Sequence, residues 1–169
     1  MDKTVADLLN RQINKELYSA YLYLDIANFY HQKGLDGFAN WYDIQVQEEV
    51  DHAKLMIQYL HNNGIDVVLE AIDKPDKEFD TVATPLAIGL EHEKYVTSLI
   101  NTIYAAAHAV NDYRTIQFLD WFIKEQGEEE KNAGDLVTKM ELFGNDPRSL
   151  YLLDQELASR TYSAPSVVL

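Results

Sequence analysis

The sequence predicts an all-α fold: a four-helix bundle with one long crossover and a short fifth helix at its C-terminal end. Three observations carry that expectation. Four long segments each hold an apolar stripe recurring at alternating steps of four and three residues, the spacing of one face of an α-helix. Two of the connections between these segments are short and one is long. Each stripe is broken near its middle by Glu, Gln or His, where a bundle core normally holds Leu, Ile or Met.

At 169 residues the chain suits one domain with a sizeable core, and 1–169 is read as a single domain. A hydrophobic content of 47% with only 7 Gly and 4 Pro fits a helical globular protein. The net charge of −14 argues against nucleic acid and anionic membrane as partners and is compatible with attracting cations. The absence of cysteine excludes disulfides, thiolate-held metals and thiol chemistry. The opening Met1-Asp2-Lys3-Thr4-Val5-Ala6-Asp7 lacks the apolar run of a signal peptide, and no later run suffices to span a bilayer. The expected location is therefore cytoplasmic.

The first helix is expected over about 4–33, with the stripe Leu9, Ile13, Glu16, Ala20, Tyr23 and Ala27 and with Gly34 as its stop. The second restarts by Leu35 to Gly37 and runs to about Asn62, where Asn62-Asn63-Gly64 ends it. Its stripe is Phe38, Tyr42, Gln45, Glu49, His52, Met56 and Tyr59. From Gly64 to about Thr81 the periodicity fades, and Pro75 appears among charged residues. About eighteen extended residues reach up to roughly 60 Å, whereas a helix of about 28 residues is roughly 42 Å long. The connection therefore suffices to return the chain along the bundle and set the second and third helices parallel. The third helix is expected over about 82–110, with Thr84-Pro85 in its first turn and the stripe Val82, Leu86, Gly89, Glu93, Val96, Ile100, Ile103, Ala107 and Val110. Asn111-Asp112 marks a tight break. The fourth helix runs to about Leu142, with the stripe Thr115, Leu119, Phe122, Gln126, Glu129, Ala133, Leu136, Met140 and Phe143. Gly144-Asn145-Asp146-Pro147 then opens the short helix to about Arg160. The tail 161–169 holds Pro165 and no periodic pattern, and is expected to be disordered.

Glu16, Glu49 with His52, Glu93, and Gln126 with Glu129 all fall near the middle of their helices. In an up-and-down bundle a helix middle stays at one level whichever way the helix points, so these six side chains are expected to converge. Singly, each has a bland reading: a stripe glutamate is most often a rim residue whose stem packs inward, and a lone histidine is most often an ordinary core residue. Four coincidences at one level favour a shared role. A buried ionised carboxylate needs compensation, and Glu49 and His52, three residues apart, share a helix face. Several carboxylates with one imidazole and no thiolate suit iron or manganese better than copper or structural zinc. Glu16, Glu49, Glu93 and Glu129 together balance two divalent ions, which favours a dinuclear site bridged by Glu49. His92-Glu93 is no zinc-protease motif, because Val96 stands where the second histidine belongs.

Glu49-Val50-Asp51-His52, His92-Glu93 and Glu125-Gln126-Gly127-Glu128-Glu129-Glu130, set on these helices with this crossover, resemble a prokaryotic non-haem ferritin over about residues 4–160. The resemblance implies a ferritin-like bundle in which Glu16, Glu49 and His52 hold one iron and Glu49, Glu93 and Glu129 hold a second, with Gln126 nearby. It implies a third iron beside Glu48, Glu125, Glu128 and Glu129, a group whose bland reading is a solvated acidic face. The second Glu-x-x-His motif of symmetric di-metal bundles is missing, its place reading Gln126-Gly127-Glu128-Glu129. Tyr23 lies two turns along the stripe from Glu16, where the family places a tyrosine near the irons. Its implied roles are a hydrogen bond to a metal-held carboxylate and supply of an electron during oxygen reduction; the bland reading is a satisfied core tyrosine. Trp121 is a second redox-capable aromatic, though packing is the stronger reading for it. Val50 stands where a bacterioferritin carries a haem-binding methionine, and Glu129 where it carries histidine, so no haem is expected. The implied function is oxidation of Fe(II) by oxygen or hydrogen peroxide, with ferric mineral stored in a homo-oligomeric shell of 24 subunits. A soluble di-iron oxidase or peroxidase that stores nothing, and a non-catalytic scaffold with structural core carboxylates, are the alternatives.

Overall fold

The computed structural model describes residues 1–167, in the order α1 (Lys3–Lys33), α2 (Asp36–Asn62), α3 (Thr84–Ala109), α4 (Tyr113–Phe143) and α5 (Pro147–Leu157). Asp2, Asp112 and Asp146 open α1, α4 and α5. Each side chain accepts a first-turn backbone N–H, from Thr4, Thr115 and Ser149 at 2.8, 3.2 and 2.8 Å. Gly34 closes α1 in the left-handed region at φ 71°.

Contacts across the bundle fix the helix directions. Tyr30 meets Phe38 and Tyr23 meets Tyr42, with ring centroids 5.0 and 5.6 Å apart, so α1 and α2 are antiparallel. Gln126 reaches Glu93 and Thr97 while Tyr104 reaches Asp120, so α3 and α4 are antiparallel as well. The Tyr30 hydroxyl donates to the Val82 carbonyl at 2.8 Å and Tyr23 meets Glu93, so α1 opposes α3 and α2 lies parallel to α3. The crossover has no regular structure of its own, and α1 supplies its partners. Asn10 accepts from the Val68 N–H at 2.8 Å and donates to the Asp66 carbonyl at 3.2 Å, and Asn14 donates to the Ala71 carbonyl at 3.0 Å.

Two apolar clusters fill the bundle. Leu9, Met56, Ile100 and Leu119 belong to one; Ile26, Phe38, Leu86 and Met140 belong to the other. The polar residues of the stripes lie between them. Backbones approach closely along α1–α2, α3–α4 and α1–α3. Side chains link α2 to α4: Tyr59 Oη and Thr115 Oγ1 are 2.9 Å apart, and Gln45 donates to Glu129 at 2.8 Å.

Helix α5 packs on α2 and α4. Its buried Asp154 accepts from the backbone N–H groups of Gly37 and Phe38 at 2.8 and 3.1 Å, capping the start of α2 from far along the chain. Glycine is needed at position 37, since a Cβ there would stand 1.7 Å from the Asp154 carbonyl oxygen.

The stripes hold through the helix middles and fail at their ends. Val82 lies before α3, Val110 is exposed at its C-cap, and Phe143 is exposed at the end of α4. Helix α5 stops at Leu157, short of Arg160. Residues 161–167 form no regular structure, and the Tyr162 hydroxyl donates to Asp51 at 2.5 Å. Side-chain anchoring of this kind leaves no periodicity to read. Residues 168 and 169 lie outside the described residues. No helix among the described residues is long and apolar enough to cross a membrane.

Candidate metal centre

The expected convergence is observed. Glu16, Glu49, His52, Glu93, Gln126 and Glu129 are all buried, none more than 5% exposed. Three form a common donor set: one ligand atom each from Glu16, Glu49 and His52 lies within 4.8 Å of the others. The three-residue spacing on α2 stacks Glu49 and His52, with His52 Nδ1 3.6 Å from Glu49 Oε2, and Glu16 arrives from the facing α1. One Glu16 oxygen accepts from Gln12 at 3.0 Å. Among the described residues, Glu16 Oε2 and Glu49 Oε2 accept no hydrogen bond from a neighbouring N–H or hydroxyl group. An orphaned buried acceptor costs about 1–3 kcal/mol, and more when charged. A cation placed among these atoms satisfies both at once.

Glu93 and Glu129 share the layer but are already held. Tyr23 Oη donates to one Glu93 oxygen, and Gln126 Nε2 donates to the other at 3.2 Å. Gln126 also reaches the Glu93 carbonyl and Thr97 Oγ1, each at 3.3 Å, so it stands as the donor that orients Glu93. Gln45 does the same for Glu129. A void of about 10 Å³, roughly one water, lies beside Glu93, Glu129 and Tyr23.

Crowding carboxylates into a dry layer raises their proton affinity. Burial pushes Glu49 well above the ordinary carboxylate range, and the charges of Glu93 and Glu16 push it further. Burial lifts Glu93 to about 7 against the pull of the Tyr23 and Gln126 hydrogen bonds. Glu129 is lifted to about 8 by burial and by Glu93. Protons therefore stand in for cations in the metal-free layer near neutral pH, and an entering ion displaces them. Burial likewise raises the Tyr23 hydroxyl, keeping it a donor. Behind Glu93, burial pushes His92 down to about 4; its Nε2 lies 2.8 Å from Ser19 Oγ and its ring meets Tyr23 edge-on at 5.8 Å. Trp121 packs edge-on against His52 at 5.5 Å.

Glu48, Glu125 and Glu128 line a cavity of about 290 Å³ together with Glu129 and His52, and tail residues 163–166 close another side. Glu128 is exposed, whereas burial pushes Glu48 and Glu125 above the usual range. Glu48 is not a freely solvated acid: Arg160 Nη2 donates to it at 2.8 Å. The structure thus adds Gln12, Ser19 and Arg160 to the residues around the layer, and places His92 behind Glu93. Gln12 carried a signal, standing four residues before Glu16 on one helix; Arg160 carried none. A larger cleft of about 780 Å³ opens between α1 and α3 under the crossover and includes His92, but none of the six layer residues lines it.

A family model for the ferritin-like domain matches residues 6–143. The chain belongs to the ferritin-like family. Relatives of this ferritin-like chain include a bacterial non-haem ferritin of Campylobacter jejuni, 37% identical over 92% of this chain and 93% of the relative. A probable bacterial non-haem ferritin-like protein of Haemophilus influenzae is 33% identical over 97% of this chain and 99% of its own length. Among solved structures, an open-pore ferritin from the archaeon Archaeoglobus fulgidus matches with a TM-score of 0.93 and 41% identity, covering 95% of this chain and 99% of that one. The bundle, crossover and α5 together are the ferritin-like fold.

Proposed function

We propose that this ferritin-like chain, one domain over 1–169, is a cytoplasmic iron-storage protein that oxidises Fe(II) at a di-iron centre within each subunit. Ferric mineral is then held in a homo-oligomeric shell of 24 subunits. The observation that carries the reading is the pair of orphaned, buried carboxylate oxygens on Glu16 and Glu49 facing His52. Near-full-length similarity to bacterial non-haem ferritins supports the storage role.

Iron is the substrate here. Glu16, Glu49 and His52 hold one ferrous ion; Glu93 and Glu129, with Glu49 shared, hold the second. Tyr23, Gln126 and Gln45 fix the latter two carboxylates in advance, which spares the ordering cost at binding. Two adjacent Fe(II) supply the two electrons that, with two protons, convert dioxygen to hydrogen peroxide or peroxide to water. The anionic oxygen donors favour the ferric product over the ferrous substrate. Tyr23, hydrogen-bonded to Glu93, is placed to give up one electron and its proton, which with the electrons of three Fe(II) and three further protons takes dioxygen to two waters. Glu48, Glu125, Glu128 and Glu129 form a third cation position on the way out of the centre. Val50 on α2 offers no haem ligand, and neither nucleic acid nor membrane takes part.

Aerobic loading of metal-free protein with excess Fe(II), followed by size exclusion with protein and iron both monitored, tests this. Large amounts of iron co-eluting with a particle far heavier than one subunit is the expected result. Rapid oxidation on a small oligomer that retains only a couple of irons would instead make the protein a di-iron oxidase.

A further inference from the structure

We infer that Arg160 is a resident counter-cation of the acidic cavity, and that by sharing Glu48 with an incoming divalent ion it sets how loosely that ion is held. The inference rests on the proposed third cation position at Glu48, Glu125, Glu128 and Glu129. It concerns a residue just beyond the end of α5 that the ligand set does not include.

Arg160 is fixed independently of the glutamate it meets. Its guanidinium lies over the Trp41 ring, 4.1 Å from the centroid, and Nη1 donates to the Trp41 carbonyl at 3.0 Å. Asn40 Nδ2 donates to the carbonyls of Arg160 and Leu157 at 3.1 and 3.2 Å, locking the backbone that carries the side chain. Nη2 then reaches Glu48 at 2.8 Å, with the two side chains only 17% and 14% exposed. Water screens such a pair weakly. Among the described residues lining the cavity, Arg160 alone carries a permanent positive charge. The Tyr162 hydrogen bond to Asp51 keeps the following residues against the cavity, so the arginine sits beneath a wall of its own chain.

This arrangement has a built-in exchange. When Glu48 turns to an ion, Arg160 keeps its ring and carbonyl contacts and does not have to move. It remains as a positive charge close to the ion, so the cavity binds more weakly than its carboxylates alone would. Cations are thereby passed onward instead of accumulating beside the di-iron centre. Guanidinium stays charged throughout the ordinary pH range, so this weakening is constant, unlike that of a histidine.

Calorimetric titration of full-length, metal-free, assembled protein with Fe(II) under strict exclusion of oxygen reads the effect directly. Arg160→Gln and Arg160→Ala are expected to tighten the weakest class of site about tenfold or more, equivalent to about 1.4 kcal/mol, with the tighter sites unchanged. Arg160→Lys, which keeps the charge, stays near wild type. Arg160→Gln retains a donor for the Trp41 carbonyl and carries the test if the alanine variant does not assemble. An unchanged or loosened weak class in Arg160→Gln overturns the inference and leaves Arg160 a strut between the tail and α2. A Glu125→Gln, Glu128→Gln double variant separates the two levels. If it retains the weak class, the third cation position itself is wrong, whatever Arg160 does.

Discussion

Glu49 touches every part of the central charge problem: it shares a helix face with His52, faces Glu16, and is pushed up most by its own burial. Glu49→Gln removes one buried acid while keeping its shape. The fast phase of Fe(II) oxidation, followed by stopped-flow absorbance, is expected to fall at least about tenfold, because the carboxylate proposed to serve both ions acts as part of a unit. The melting temperature of the metal-free variant should hold or rise, and wild-type oxidation rates would sink the ligand assignment. Tyr23→Phe tests a subtler link. It deletes the donor to Glu93 at a cost of about 1.5–3 kcal/mol, and it should move the Glu93 titration upward from about 7, read from the carboxyl infrared band. The six layer residues were legible because each interrupts an apolar period. Ser19 was not, because it lies off the stripes; His92 stood out only as the neighbour of Glu93, and Arg160 was not legible because no periodic pattern ties it to α2.

At the level of elements, the helix middles were readable and the joints were not. Stripes, caps and the Gly34 stop are local signals, and α1 to α4 follow them to within a residue or two. The union of α5 with the start of α2 depends on Asp154 meeting Gly37 and Phe38, which no local pattern announces. Asp154→Ala should lower stability by about 1–2 kcal/mol, the worth of a lost helix cap, seen as a lower thermal midpoint. Gly37→Ala should cost more, because its Cβ has nowhere to go, and its loss of α5 docking would show as faster amide exchange in α5. An Ala variant at 37 with wild-type exchange would disprove the close approach.

For the whole molecule, the polar layer makes stability depend on pH in a specified direction. Glu93 and Glu129 hold protons up to about 7 and 8 in the folded metal-free chain, whereas unfolded glutamates titrate near about 4.3. Between those limits the folded state binds more protons, so the stability contributed by these groups is present at low pH and is lost as pH rises through 7 and 8. Metal-free protein should therefore melt at progressively lower temperature from about pH 5 to pH 8, and divalent ions should abolish the slope. Ion binding at pH 7 should release protons, measurable as a buffer-dependent heat. The same layer also separates two apolar clusters, joined across it by the hydrogen bonds of Tyr23, Gln126 and Gln45. Each cluster is a small oily lobe, and the acids between them form a seam that protons keep neutral and a cation would tie more firmly. Exchange of amides around Glu49 and Gln126 should accordingly slow when divalent ions are added to metal-free protein. A bundle selected for rigidity alone would have filled its waist with leucine; this one gives up that packing for a layer of acids with room for a cation.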